Sequence, residues 1–316
     1  MMSTKSQSAG RFAEFDLSRV PSPCFVVDEV AIQNNLHILS DLANASGCKI
    51  LGALKAFSFW RLAPLMSHYL SGTCASGLWE AKLARTHYNG EVETYAPAFK
   101  ASEMDEIARL SDHVIFNTPA QLETFGSQTK THGAALGLRL NPEHSEGIVE
   151  KYDPCAPGSR LGWPISKLTQ EHIAMVDGLH LHTLCEQGFA PLGRTWAAIE
   201  AHLLPFAGQL KWLNLGGGHL ITSPEYDRIA LTAFLQRVAQ TMQTQIYLEP
   251  GTAMAFDAGI LVGEVLDIID NQGPNAILDV SATCHMPDVI EAPYRPALLG
   301  ENPDGLNFRV GGPSCL

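Results

Sequence analysis

Long apolar runs are missing from this 316-residue chain: no stretch of about 18 apolar residues occurs, which argues against a membrane-spanning helix. The first twelve residues are polar and Ser-rich, without the apolar core of a secretory signal. The expectation is a soluble, cytoplasmic protein with no membrane partner. Paired cysteines are missing too. Cys24, Cys48, Cys74, Cys155, Cys185, Cys284 and Cys315 are odd in number, scattered, and never in a CxxC pair, which suits a reducing compartment better than a disulfide framework. Basic residues are scarce, 21 Lys and Arg against 33 Asp and Glu, for a formal charge of -12. That balance argues against a nucleic-acid partner and is compatible with a small cationic substrate. A GxGxxG turn is also absent, so a dinucleotide fingerprint has no support.

What is present is ordinary globular composition, 46% hydrophobic and 17% charged, in a chain long enough for one large domain and a smaller one. Eight short apolar runs recur at 49–54, 72–75, 92–95, 113–116, 134–140, 178–182, 211–215 and 245–248. Helical periodicity fills much of the space between them, as at Phe59–Leu70, Leu78–His87, Ser102–Leu110, Pro119–Phe125 and Ile229–Met242, several opened by Ser, Thr or Pro. Eight βα units predict an α/β fold, a (β/α)8 TIM-like barrel. An open doubly wound sheet is the alternative, because spacing alone does not say whether a sheet closes. Segment 141–177, rich in Pro and Gly and containing SRLGWP, reads as a long functional loop. From Ala253 onward short strand-like runs alternate with Gly, Pro and Asn. The expected domains are therefore 1–24, a leader and first strand of a β domain; 25–252, the barrel; and 253–316, a C-terminal all-β domain.

Barrel chemistry is built from residues at the C-terminal ends of the strands. The first run ends in LGALKAF, which puts Lys55 just past the strand. On its own such a lysine reads as a snorkelling surface side chain. The seventh ends in LNLGGGH, where Gly216, Gly217 and Gly218 offer bare backbone N–H groups able to surround an anion, and the eighth ends in LEPGTA, with Glu249 and Gly251 beside the same pocket. The sixth carries HLHTLCEQ. His180 and His182 share one face there, and Cys185 is near. A metal site is one reading of that run, but no second ligand pair completes a shell, and no metal is expected. A satisfied core histidine remains open for His180, while His182, nearer the strand's end, is the better candidate to face a ligand ring. Arg139 at the end of the fifth run, and Thr73, Cys74 and Ser76 at the second, are plausible hydrogen-bonding neighbours. A strand-end lysine, a Gly-rich anion loop, a carboxylate and a histidine are together the parts a pyridoxal-phosphate (PLP) site needs.

The runs LGALKAF, CASGLWE, HTLCEQ, LNLGGG, LEPGTA, HMPDVIEAPYRP and GPSC occur in an order that strongly resembles the fold-type III PLP decarboxylases of the alanine racemase-like barrel. Within them they resemble the carboxynorspermidine/carboxyspermidine decarboxylases. The similarity runs from SPCFVVDE near position 22 to GGPSC at 311–315. It implies that Lys55 carries PLP as a Schiff base, that His182 lies against the cofactor ring, and that Gly216–Gly218 and Gly251 hold the phosphate. It implies Glu249 at the pyridine nitrogen, where racemases of this fold put an arginine, which points to decarboxylation. Asp288, with Glu291 and also Glu186, is implied for the distal amine of a polyamine-type substrate. Cys315 is implied as a proton donor inserted into the neighbouring subunit's site, hence a homodimer with shared active sites. The family's sequences run on past GPSC with a Gly-Asp pair and further strands, so the β domain is expected to be incomplete in these 316 residues. Two alternatives stay open: another enzyme of this fold, of the diaminopimelate, ornithine/arginine or racemase type, or a non-catalytic PLP-binding remnant.

Overall fold

Short apolar runs separated by helices can bury both sheet faces only if the sheet is covered on one side and filled on the other. The computed structural model, which describes residues 10–302 and 304–315, shows how this chain does so. In chain order, β1 (Cys24–Val27) is followed by α1 (Glu29–Ser46), β2 (Lys49–Ala53), α2 (Ala63–Tyr69), β3 (Gly72–Ala75), α3 (Leu78–His87), β4 (Glu91–Tyr95) and α4 (Ala101–Leu110). Then come β5 (His113–Phe116), α5 (Pro119–Thr131), β6 (Ala135–Asn141), β7 (Trp163–Pro164), α6 (Gln170–Met175), β8 (Gly178–Leu181), α7 (Phe189–Leu203), β9 (Trp212–Asn214), α8 (Arg228–Met242), β10 (Gln245–Leu248) and α9 (Thr252–Ala255).

Strands β2, β3, β4, β5, β6, β8, β9 and β10 pair in that order, all parallel, and β10 pairs back onto β2. The sheet is therefore closed, and the open-sheet alternative falls. Each of the eight runs read from the sequence is one of these strands. Helix starts follow local chemistry: Thr118 caps α5 by accepting from the Gln121 N–H at 3.3 Å with Pro119 in the first turn, and Asp227 caps α8 by accepting from the Ala230 N–H at 2.9 Å. Helix α1, absent from the sequence reading, packs on α2, α8 and α9 and buries a stripe that includes Ile32, Leu36 and Leu39. It covers the barrel where the first strand has no preceding βα unit. Segment 141–177 holds β7, which adds onto β6, and the short helix α6.

Because side chains alternate along a strand, one residue in two points inward. Gly137 and Gly178 lie on that inner face, and a Cβ on either would come within 2.5 or 2.0 Å of the indole of Trp212. Trp212 fills the space they leave, stacks on His113 at 4.9 Å, and packs with Leu51, Ile115 and Tyr247. Next to this apolar cluster the interior is polar, and those polar side chains lead to the C-terminal ends of the strands.

The described residues up to Asp28 and from Ala258 onward form a second compact unit, apart from Glu29–Asp257. In it β1 pairs antiparallel with β11 (Gly259–Val262), while β12 (Val265–Asp270), β13 (Pro274–Leu278) and β14 (Arg309–Gly311) make a three-stranded sheet. The four-residue helices α10 (Ala282–His285) and α11 (Asp288–Glu291) lie between β13 and β14. Pairing with a strand more than 230 residues away carries residues 25–28 out of the barrel unit, and no local signal at position 24 marks that. Among the described residues, no helix is long and apolar enough to cross a membrane.

Candidate active site

The ends of β2, β4, β6, β8, β9 and β10 converge on one group of side chains. Lys55 lies in the turn after β2 and is exposed. That turn is tied down on both sides: Ala53 N–H donates to Pro250 O at 3.1 Å and Leu54 N–H to Cys74 O at 3.1 Å. A Cβ on Gly251 would lie 2.5 Å from the Cβ of Ala56, so only glycine lets the turn after β10 pack on the turn that carries Lys55. The Lys55 ammonium acts electrostatically on Cys74, His180 and His182.

Glu249, the residue after β10, is 7% exposed. Its Oε1 accepts from Asn214 Nδ2 at 2.8 Å, and its Oε2 lies 3.3 Å from His180 Nε2 and 3.9 Å from His182 Nδ1. Burial pushes its carboxyl up, but the attraction of His180 and the hydrogen bonds of Glu93 and His180 outweigh that and hold it well below the usual range. Burial pushes the His180 imidazole down and takes His182 down to about 4, so both rings are neutral at pH 7. The Nδ1 of His182 accepts from the Gly217 N–H at 3.2 Å, which leaves its proton on Nε2. His180 stacks on Tyr95 at 5.5 Å, and the Arg139 guanidinium sits over the Tyr95 ring, 4.5 Å from its centre. Arg139 also donates to His182 O at 3.2 Å.

The glycine loop differs from its expected form. Gly216 N–H donates to Asn214 Oδ1 at 2.7 Å and Gly217 N–H to His182 Nδ1, so two of the three amides are not bare. These glycines serve close approach instead: a Cβ on Gly217 would lie 2.1 Å from Glu249 O and 3.4 Å from His182 Cε1.

With this geometry in view, likeness to known proteins decides the lineage. The chain is 40% identical over 281 residues to the carboxynorspermidine/carboxyspermidine decarboxylase of Campylobacter jejuni, covering 89% of this chain and 73% of that one. It belongs to the carboxynorspermidine/carboxyspermidine decarboxylase family. Members of this family are fold-type III carboxy-lyases. A carboxyaminopropylagmatine decarboxylase from Synechocystis is 37% identical over 305 residues, 95% of this chain and 79% of the relative. The crystal structure of carboxynorspermidine decarboxylase from Campylobacter jejuni complexed with norspermidine superposes with a TM-score of 0.84 at 35% identity, covering 94% of this chain and 82% of that one. No family model matches the chain.

Of the residues singled out in the sequence, Lys55, Arg139, His182, Gly216–Gly218, Glu249 and Gly251 all lie at the C-terminal ends of barrel strands or within them. Asp288, Glu291 and Cys315 belong to the second unit and are exposed there. Three further side chains were missed. Glu93 and Asn214, each 0% exposed, flank Glu249 from inside the barrel, and Tyr95 stacks on His180. The signal was there in EVETY, a barrel strand whose one face reads Glu91, Glu93, Tyr95 where apolar residues are the rule. Glu93, His180 and Glu249 offer ligand atoms within 4.8 Å of one another, but Asn214 aims an N–H at both carboxylates, an arrangement a cation in that space would oppose.

Proposed function

We propose that this chain is a PLP-dependent decarboxylase whose substrate has an α-amino-acid head and a long cationic arm, of the carboxynorspermidine or carboxyspermidine kind. The observation that carries the reading is the packing of Gly251 on Ala56, which brings the Lys55 turn beside Glu249 and His182. The donor set fits the cofactor: a carboxylate kept ionised in a dry site suits a protonated pyridine, and a neutral imidazole suits a ring face. When bound, PLP supplies an electron sink for the charge left on Cα as CO2 departs. Lys55 would hold it covalently, Glu249 would keep a proton at its pyridine nitrogen, and His182 would lie against its ring. We assign the phosphate to Gly218 and Gly251, with Gly216 and Gly217 shaping the loop, since their amides are engaged by Asn214 and His182.

With PLP bound, Lys55 would yield its place to the substrate's α-amine and later take it back to free the product, and Lys55 or Cys315 would supply the proton to Cα. We take Cys315 to act across a homodimer, with Asp288 and Glu291 receiving the distal amine; support comes from HMPDVIEAPYRP and GPSC, which resemble the family's motifs. A cytoplasmic location suits seven cysteines that are odd in number, scattered, and never in a CxxC pair. A second reading, carboxyaminopropylagmatine, is favoured by the Synechocystis relative, and differs in ending in a guanidino group rather than an amine. The test is CO2 release by the PLP-loaded protein from each of these three substrates and from diaminopimelate. Fastest turnover on carboxynorspermidine or carboxyspermidine is expected. Preference for the guanidino substrate would select the second reading, and turnover of diaminopimelate alone would overturn both.

A further inference from the structure

A barrel strand ordinarily turns branched apolar side chains inward. Strand β4 turns in Glu93, fully buried, whose Oε1 accepts from Asn214 Nδ2 and whose Oε2 lies 3.2 Å from His113 Nδ1. The same Asn214 nitrogen donates to Glu249 Oε1 at 2.8 Å, and carboxylate oxygens of Glu93 and Glu249 come within 4.8 Å of each other. Two carboxylates that close and that dry do not both ionise. The surroundings decide which one keeps the charge. Glu249 faces His180 and His182, which also feel the positive charges of Arg139 and Lys55. Glu93 faces Glu91 on its own strand, Cys74 from β3, neutral His113 from β5, neutral His180 from β8 and Glu249 from β10, a set without a fixed cation.

We propose that Glu93 carries a proton while Glu249 carries the charge, so that the pair is one acid–carboxylate unit in which Glu93 positions Glu249. Asn214 and His113 hold the acid half in place, and the acid half lends Glu249 a hydrogen bond that keeps its carboxylate oriented. Burial first, and Glu249 second, push the Glu93 carboxyl well above the usual range. The role in catalysis rests on the assignment of Glu249 to the cofactor nitrogen; the location of the proton does not.

Infrared spectroscopy of the cofactor-free protein tests the proton directly. A protonated-carboxyl stretch is expected at neutral pH in the wild type and is expected to vanish in Glu93→Gln. In the PLP-loaded protein, Gln imitates a neutral acid, so E93Q should keep kcat within about fivefold and keep the visible cofactor absorbance across pH. E93L leaves buried partners unsatisfied, and a loss of about ten- to a hundredfold is expected. A wild type without the infrared band overturns the proposal, as does a band that survives in E93Q, or E93Q as impaired as E93L. If the wild type binds no PLP, the infrared result still locates the proton, and that failure falls on the function reading alone.

Discussion

Lys55 reaches water from a turn, whereas Glu249 and His180 sit in a dry interior with His182 partly buried beside them, and the chemistry depends on that contrast. Glu249→Gln replaces the ionised partner by a neutral amide, and kcat should fall about a hundredfold, the scale of removing one preorganised electrostatic contact, with KM changing less. Steady-state kinetics of the PLP-loaded variant checks this. Burial also holds His182 at about 4 and His219 at about 3, below the value of 6.5 expected for the unfolded chain. The unfolded chain therefore takes up these protons first as pH falls. The stability these groups allow is fully present above about pH 6.5 and is lost toward pH 4 and then pH 3, at roughly 1.4 kcal/mol for each pH unit that separates the folded from the unfolded value. The urea midpoint should drop between pH 6.5 and 4.5, and His219→Leu should make that drop shallower. A midpoint that stays flat over this window would contradict the burial account.

At the scale of elements, the closed barrel depends on glycines that make room for one large ring. Gly178→Ala drives a methyl group into the indole of Trp212, with its nearest atom 2.0 Å away, and should cost about 1–3 kcal/mol, read as a lower urea midpoint with the same slope. All eight barrel strands were legible in the sequence, because each is a short strand-like run bounded by turns or helices. Lys55, His182 and Glu249 were legible because barrel chemistry gathers at strand ends. Glu93 and Asn214 were passed over, since they lie within β4 and β9, where packing is the ordinary expectation, although the polar face of EVETY marked the first. Helix α1 shows helical spacing at Ile32, Leu36 and Leu39, but its buried Asn35 is satisfied by the carbonyls of Met254 and Phe256, over 200 residues away. The occupied amides of Gly216 and Gly217 likewise depend on Asn214 and His182 turning toward them, which no local pattern records.

For the whole molecule, a formal charge of -12 creates a field that draws a polycation toward the protein. Added salt screens that field, so kcat/KM for a carboxylated polyamine should fall as ionic strength rises, mainly through KM, while kcat holds. A kcat/KM independent of salt would show that the acidic balance has no part in substrate capture. The family, the barrel and the converging strand ends all lead to a single covalent claim about one side chain. Borohydride reduction of the PLP-loaded protein, followed by peptide mapping in a mass spectrometer, tests it most directly: the pyridoxyl group is predicted on Lys55, with Lys55→Ala unlabelled and inactive. A label on a different lysine, or undiminished CO2 release from Lys55→Ala, would contradict the account.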